Sequence, residues 1–312
     1  MIAAITLNVS IDRRYVVENA RFGAVNRVKE CAYTAGGKGL NVARIAHTLG
    51  APVVAGGIAG GDAGRYILRS LDTEGIPYRF SQAAGESRSC INIYDTAAGA
   101  QTEYLEPGMT VTGEEYEAFL RVFDEMCGQC PIITMSGSLP KGLTPDTYAN
   151  LIRRARAKGV KVFLDSSGEA LRLALPARPF SIKPNEDEIA ALTGCDPSSE
   201  QAVFAAAEEL QRSGIERVVV SMGKKGAVLA CSEGLFRAQP PEIQTVNTVG
   251  CGDSMTAAFA VAEMKSMSPE EAIRFAVATS AASALNIATG GLDTEDMRSL
   301  MPSVYVEQIK SW

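Results

Sequence analysis

Ile132-Ile133-Thr134-Met135 is a short apolar run, and Ser136-Gly137-Ser138-Leu139-Pro140 follows it at once. A run of that length, closed by glycine and proline, reads as a buried strand that stops abruptly. The same design recurs downstream. Val160–Leu164 runs into Asp165-Ser166-Ser167-Gly168, Phe180–Ile182 into Lys183-Pro184-Asn185, and Arg217–Val220 into Ser221-Met222-Gly223. Stretches with helical spacing lie around these runs, at Glu114–Cys127, Thr144–Lys158 and Glu200–Ser213. Strands that alternate with helices predict an α/β fold, a mostly parallel sheet with helices on both faces. Upstream, Ile2–Leu7 reads as the first strand and Val53–Ile58 as another, with helices over Leu40–Leu49 and Arg65–Gly75. Gly56, Gly57, Gly60, Gly61 and Gly64 predict a tight loop around Asp62. Polar groups therefore collect at five strand ends: Asn8 and Asp12, Ser136 and Ser138, Asp165, Lys183 and Asn185, and Ser221. In open α/β sheets ligands bind at that edge. One such group would be ordinary turn chemistry; five point to a site.

Two regions break the alternation. Arg14–Val17 with Val25–Thr34, and Ser87–Tyr94 with Thr102–Leu105 around Ala97-Ala98-Gly99, mix polar and apolar residues in the manner of strands with one wet face. They predict a small separate sheet, made from two insertions at about 12–35 and 86–106, beside a larger domain within residues 1–312. The chain has 312 residues, 46% of them hydrophobic, enough for a substantial core. A net charge of −6 argues against a nucleic-acid surface. Met1–Leu7 lacks the basic start of a signal peptide, and the weakly polar run Phe275–Ala288 is too short to span a bilayer. The expectation is a cytoplasmic protein with no membrane partner. Seven scattered cysteines suit reduced, packed thiols. Cys127-Gly128-Gln129-Cys130 ends a helix pattern without a second ligand pair, so a structural role is expected. His47 is the only histidine and lies in a helix pattern, which leaves little room for a Ser-His-Asp hydrolase.

Thr248-Val249-Gly250-Cys251-Gly252-Asp253-Ser254 carries the chemistry. Small residues before a helix let a ligand approach the backbone, and the first-turn N–H groups form a ready anion site. Asp253 would repel a resting phosphate there. It makes sense if the site holds a phosphoryl group in transfer, because a carboxylate can then take the proton of the attacking hydroxyl. An ordinary helix start with an acidic first turn is the competing reading. Gly36-Gly37-Lys38-Gly39 is not a Walker loop: Ala32 stands where the first glycine belongs, and Gly39 follows the lysine. No dinucleotide G-x-G-x-x-G follows the first strand. Lys38, Asn41 and Arg88 still supply donors and charge for a polyhydroxy substrate that carries its own phosphate; each also fits a solvated loop position. Lys183, Asn185 and Glu188 fall within about one helical turn. Asn185 and Glu188 suit a hydrated Mg²⁺, and equally a helix N-cap with its capping-box partner.

The order of these motifs resembles the PfkB carbohydrate kinases, the ribokinase-like group. Gly250–Ser254 resembles the C-terminal signature of that family and Gly36–Ala43 the N-terminal one, while Ser136–Pro140 and Lys183-Pro184-Asn185 with Glu188 match its strand-end and metal-associated motifs. Thr6-Leu7-Asn8, Ser10-Ile11-Asp12, Val25-Asn26-Arg27 and Lys38 are similar to the hexose-phosphate branch, the tagatose-6-phosphate kinases and 1-phosphofructokinases. The resemblance implies a three-layer αβα sandwich with a β lid, often paired into a homodimer, and ATP-dependent phosphorylation of a ketohexose phosphate to a bisphosphate. Asp253 would be the base, with Gly250, Cys251 and Gly252 completing the anion hole. Asp12, Gly37 and Asn41 would bind sugar hydroxyls, and Ser138, Lys38 and Arg88 would lie near the substrate, the two cations on its phosphate. Lys183, Asn185 and Glu188 would serve ATP phosphates and Mg²⁺, and Ser221, Gly223, Gly226 and Asn286 would line the nucleotide pocket. Arg88–Ile91 and Gln101–Glu106 look more like the tagatose-6-phosphate kinases, with fructose 1-phosphate as the alternative substrate and fructose 6-phosphate or a non-catalytic sugar-phosphate regulator behind it. Two departures stand out. Val9 replaces a common proline, and Cys251 replaces a usual Ala or Ser, which predicts oxidant sensitivity beside the γ-phosphate.

Overall fold

The computed structural model describes residues 1–312. Its first half contains β1 (Ile2–Thr6), β2 (Ser10–Val17), β3 (Glu30–Gly36), α1 (Lys38–Thr48), β4 (Val53–Gly60), α2 (Gly61–Glu74), β5 (Tyr78–Ala83), β6 (Arg88–Asp95), β7 (Ala100–Leu105), α3 (Gly113–Gln129) and β8 (Ile132–Ser136). Then come α4 (Thr147–Arg156), β9 (Lys161–Asp165), α5 (Gly168–Ala174), β10 (Ser181–Ile182), α6 (Glu186–Thr193), α7 (Glu200–Arg212), β11 (Arg217–Ser221), β12 (Ala227–Cys231) and β13 (Gly234–Gln239). The chain closes with α8 (Cys251–Met264), α9 (Pro269–Leu285), α10 (Thr294–Leu300) and β14 (Tyr305–Lys310).

Ten strands make one sheet in the order β14-β13-β12-β11-β10-β9-β8-β1-β4-β5. From β11 to β5 every neighbour runs parallel, and β12, β13 and β14 are added antiparallel at one edge. β1 is apolar without interruption because both its faces are covered. Ile2 and Ala4 enter an apolar layer with α1, α2, α8 and α9; Ala3 and Ile5 enter a second one with α3, α4 and α7. Helices on both faces of a mostly parallel sheet are what the alternation predicts, and the three layers are those that the family resemblance implies. The weakly polar run is α9, started by a capping box between Ser268 and Glu271 with Pro269 in the first turn. No helix is long and apolar enough to cross a membrane.

Four strands form a second sheet in the order β3-β2-β6-β7. β2 pairs antiparallel with β3 and parallel with β6, and β6 pairs antiparallel with β7. The expected strand from Val25 is shorter, since pairing starts only at Glu30. The glycine-rich loop expected around Asp62 does not exist. β4 continues through Gly60 and α2 begins at Gly61. These glycines serve close approach, not a turn. A Cβ on Gly57 would stand 1.9 Å from the Thr6 carbonyl oxygen, and one on Gly60 2.1 Å from that of Gly85. The strands β5, β13 and β14 and the helices α5 and α10 are not predicted by the sequence pattern: exposed positions interrupt the apolar runs of the edge strands β5 and β14, Arg237 and Gln239 break that of β13, and the two helices have only seven residues each.

Candidate active site

The ends of β1, β8, β10 and β11 meet the first turns of α1, α6 and α8 beneath the small sheet and enclose a cavity of about 810 Å³. Asp12, Gly37, Lys38, Asn41, Arg88, Ser138, Lys183, Asn185, Glu188, Ser221, Gly223, Gly250, Gly252 and Asp253 all line it. A second cavity of about 740 Å³ adjoins it, walled by Gly226, Cys251, Pro240, Ile243, Val277 and Ala281 among others. Ser221, Gly223 and Gly252 line both. Asn286 lines neither. It ends α9, and its Oδ1 accepts the N–H of Ala288 at 2.9 Å. The strand-end chemistry thus converges as expected, with Asn286 left outside.

Gly250 caps α8 at φ +88°, a conformation that favours glycine. The Cys251 N–H reaches the Thr248 carbonyl at 3.3 Å and the Ser254 N–H that of Gly250 at 2.9 Å. Between them the N–H groups of Gly252 and Asp253 have no backbone acceptor. They sit at the positive end of a 14-residue helix, so the turn is built for an anion. A Cβ on Gly252 would stand 3.1 Å from the Lys183 Nζ, which places that cation directly beside the turn.

Asp253 is 5% exposed. Burial drives its carboxyl up to about 7; Lys38 opposes the rise, and the nearby Asp165 adds to it. Its Oδ2 accepts the Asn41 Nδ2–H at 2.8 Å. Asn41 is in turn held through its Oδ1 by Arg44 Nη1 at 3.2 Å, and Arg44 is anchored by Glu74 at 2.7 Å and by the Ala35 carbonyl at 2.8 Å. Asn41 therefore orients the acid, a task that sequence reasoning gave to no residue.

Asp165 was visible as a strand end but had no assigned role. It is 1% exposed and forms the hub of the site. Its Oδ1 lies 3.2 Å from Lys38 Nζ, its Oδ2 lies 3.2 Å from Lys183 Nζ, and the Thr256 hydroxyl donates to Oδ2 at 3.2 Å. Burial alone would raise this carboxyl; Lys183 and Lys38 outweigh it and hold the group below its ordinary value. Asp165, with Asp253 behind it, drives Lys38 above the ordinary lysine value against the effect of burial. Lys38 was expected on the sugar's phosphate together with Arg88. Both line the cavity; Lys38 lies against Asp165, and Arg88 places Nε on the Asn8 carbonyl at 3.3 Å and Nη1 on the Glu106 carbonyl at 3.0 Å.

Asp12 accepts from the Ser10 hydroxyl at 2.6 Å. Its carboxyl fills the space over Gly36, where a Cβ would come within 2.1 Å of it, so that glycine is obligatory. Burial raises the Asp12 carboxyl, against Ser10 and Arg88. Asn8 ties the end of β1 to the end of β8 by donating to the Ser138 hydroxyl at 3.1 Å. Asn185 and Glu188 form the reciprocal capping box of α6, at 3.0 and 2.7 Å. The box engages only Oε2 of Glu188, and both residues still face the cavity. No cluster of three or more acidic, histidine or cysteine ligands exists. One carboxylate plus an amide is the donor set for a cation that keeps most of its water and binds substrate phosphates, so Mg²⁺ fits and a closed protein cage does not.

The environment of Cys251 works against the expected oxidant sensitivity. Burial, and then Asp253, push its thiol up to about 11, so it stays protonated and is a poor nucleophile. Cys127 is likewise driven up to about 11 by burial, and all seven cysteines are unpaired. His47 is exposed on α1, as expected.

Residues 3–295 match the family model described as pfkB family carbohydrate kinase. Phosphofructokinase-2 from Escherichia coli, solved with substrates and products, is 31% identical with a TM-score of 0.91, over 97% of this chain and 98% of that one. The same enzyme has been solved in a tetrameric inhibited form. A protein from Thermotoga maritima described as a possible 1-phosphofructokinase is 27% identical with a TM-score of 0.91, over 99% of both chains. Ribokinase from Arabidopsis thaliana, at 22% identity and a TM-score of 0.78 over 96% of this chain and 98% of that one, shares the fold.

Proposed function

The chain belongs to the pfkB family of carbohydrate kinases, is an ATP-dependent sugar-phosphate kinase, and on that premise we propose that it converts a ketohexose phosphate to the bisphosphate. The observation that carries the reading is the turn Gly250–Asp253. It places a buried acid and two free N–H groups where the two cavities join, and Gly252 lines both. The sugar phosphate belongs in the cavity under the small sheet, and the nucleotide base in the apolar slot between Pro240, Ile243 and Val277.

Asp253 takes the proton of the attacking sugar hydroxyl as its oxygen bonds to the γ-phosphorus and ADP departs. Asn41 occupies Oδ2 and leaves Oδ1 as the basic atom. The free N–H groups and Lys183 hold the γ-phosphate. Lys38 stabilises charge that builds on the transferring group, a role nearer the reaction than the sugar's phosphate. Asp12 accepts from sugar hydroxyls and Arg88 meets the anionic end of the sugar. Asn185 and Glu188 would hold a hydrated Mg²⁺, which supplies charge neutralisation on the ATP phosphates.

We assign D-tagatose 6-phosphate as the substrate, on the sequences Arg88–Ile91 and Gln101–Glu106. D-fructose 1-phosphate is the second reading, favoured by the likeness to the Thermotoga protein. The test is a turnover panel with ATP and tagatose 6-phosphate, fructose 1-phosphate and fructose 6-phosphate at equal concentrations. Preference for tagatose 6-phosphate supports the assignment, preference for either fructose phosphate replaces it, and no turnover on any refutes a sugar-phosphate kinase and leaves a binding protein.

We read the chain as one kinase domain with a lid, paired through that lid into a homodimer in the cytoplasm. The outer lid face carries Tyr15, Tyr33, Ile93 and Tyr104, with Tyr33 and Tyr104 each 47% exposed. Apolar surface of that kind on a four-stranded sheet calls for a cover. The seven unpaired cysteines suit a reducing compartment. Light scattering that returns the mass of a monomer would sink the dimer.

A further inference from the structure

Resting on the assignment of the lid-covered cavity to a sugar phosphate, we infer that Arg14 and Asn92 form a subsite on the lid that binds the substrate's phosphate and an adjacent hydroxyl. Side chains alternate along β2, so Ser10, Asp12 and Arg14 share the face that looks into the cavity. Arg14 lies one pleat repeat, about 7 Å of strand, beyond Asp12 and away from β1. In the register of the lid it stands between Ala32 on β3 and Asn92 on β6. The small Ala32 leaves one flank of the guanidinium open. On the other flank Arg14 lies over the Tyr94 ring, 5.5 Å from its centroid, which fixes the plane of the fork.

Both members of this pair line the cavity, and both hold a buried polar atom that nothing in the chain satisfies: Nε of Arg14 and Oδ1 of Asn92. Buried polar atoms are rarely left unpaired. One orphan is a cationic donor and its neighbour is an acceptor. A ligand that completes both must offer anionic oxygens and a hydroxyl close together. A phosphorylated polyol does so; free inorganic phosphate completes only the first. The need for a second cation follows from the site itself, because Lys38 is committed to Asp165 and Arg88 has two of its nitrogens on backbone carbonyls. The acidic groups on the same face are Asp12, Glu103 and Glu30. Asp12 is held by Ser10, and Glu103 accepts from Asn92 Nδ2 at 3.4 Å without pairing to Arg14. Glu30 lies further out, opposite Val16. Glu103 lies opposite Asn92 and lines the same cavity, so its charge would oppose an incoming phosphate.

The experiment is steady-state kinetics of the full chain with the best sugar phosphate of the wild type, on Arg14→Met, Arg14→Lys and Glu103→Gln. Binding to the phosphate is equally strong in ground and transition states, so it shows in KM and not in kcat. Arg14→Met should raise KM for the sugar phosphate by about tenfold or more, since it removes a charge-assisted contact, with kcat within about twofold and KM for ATP unchanged. Arg14→Lys should recover part of the loss, and Glu103→Gln should lower KM. Inorganic phosphate, tested as a competitor of the sugar phosphate, should inhibit Arg14→Met more weakly than wild type. An unchanged KM in Arg14→Met with unchanged phosphate inhibition overturns the subsite. A wild type that turns over no sugar phosphate refutes the underlying reading instead.

Discussion

Replacing Asp253 by Asn should cost most of the activity and make the protein more stable. The folded chain holds this carboxyl at about 7, against 3.8 for a free aspartate. Folding therefore favours its protonated form. A raised acid contributes stability that is complete below the unfolded value and is lost as pH rises through the folded one. The difference of about three units corresponds to roughly 4 kcal/mol at pH 8, a ceiling that any relaxation around the charge reduces. Asn is neutral at every pH and keeps an oxygen for the Asn41 amide. Asp253→Asn should thus match the wild type at pH 4 and exceed it by up to about 4 kcal/mol at pH 8, which for a chain of this length is a rise in Tm of up to roughly 8 °C. The same change removes the base, so kcat should fall by about 10²–10⁴. Thermal melts without nucleotide at pH 5, 6, 7 and 8, alongside an ADP-coupled assay, measure both. A stability gap that does not widen with pH, or a variant less stable at pH 8, would refute the burial argument. Turnover within tenfold of the wild type would refute the base.

Three further outcomes follow from the same geometry. In the free enzyme kcat/KM should fall along an acid limb centred near pH 7, where Asp253 titrates; Arg44→Met frees Asn41 from its anchor and should move that limb to higher pH, so an unmoved limb would dismiss the Glu74–Arg44–Asn41 relay. Gly252→Ala puts a Cβ 3.1 Å from Lys183 Nζ inside the anion turn, and kcat should drop about 10–100-fold with Tm nearly unchanged; wild-type kinetics would mean that the turn does not hold the transferring group. Because the Cys251 thiol is pushed up to about 11, its alkylation at pH 8 should be far slower than that of an exposed thiol, and rapid, selective labelling by mass spectrometry would contradict the burial argument.

The main parallel sheet was legible because its strands are buried on both faces and stop on Gly, Pro and polar residues. Runs such as Val160–Leu164 and Arg217–Val220 have no other reading at that length. The edge strands were not, since β14 is largely exposed and alternates weakly. The glycines of β4 were misread because a sequence shows that a Cβ is missing but not what would collide with it; here the obstacle is the Thr6 carbonyl, 51 residues away in the chain. The acid and its anion turn were legible as a local pattern. The hub was not. The register of β9 against β10 brings Asp165 and Lys183 together, and Lys38 joins them from the first turn of α1, far away in sequence.

The two walls of the cleft have different owners. The reacting end is assembled from strand ends and helix turns of the large sheet, around Asp165 and Asp253, while the far end is the inner face of the four-stranded sheet, which meets that machinery at Ala35, whose carbonyl anchors Arg44. Heritable variation can therefore act on them separately. On the proposed reading, substitutions at Arg14, Cys90, Asn92 or Glu103 should redraw which sugar is admitted and leave the phosphoryl chemistry intact, whereas a change at Asp165 should disable the enzyme for every sugar alike. A lineage with this architecture can exchange its diet without relearning its reaction.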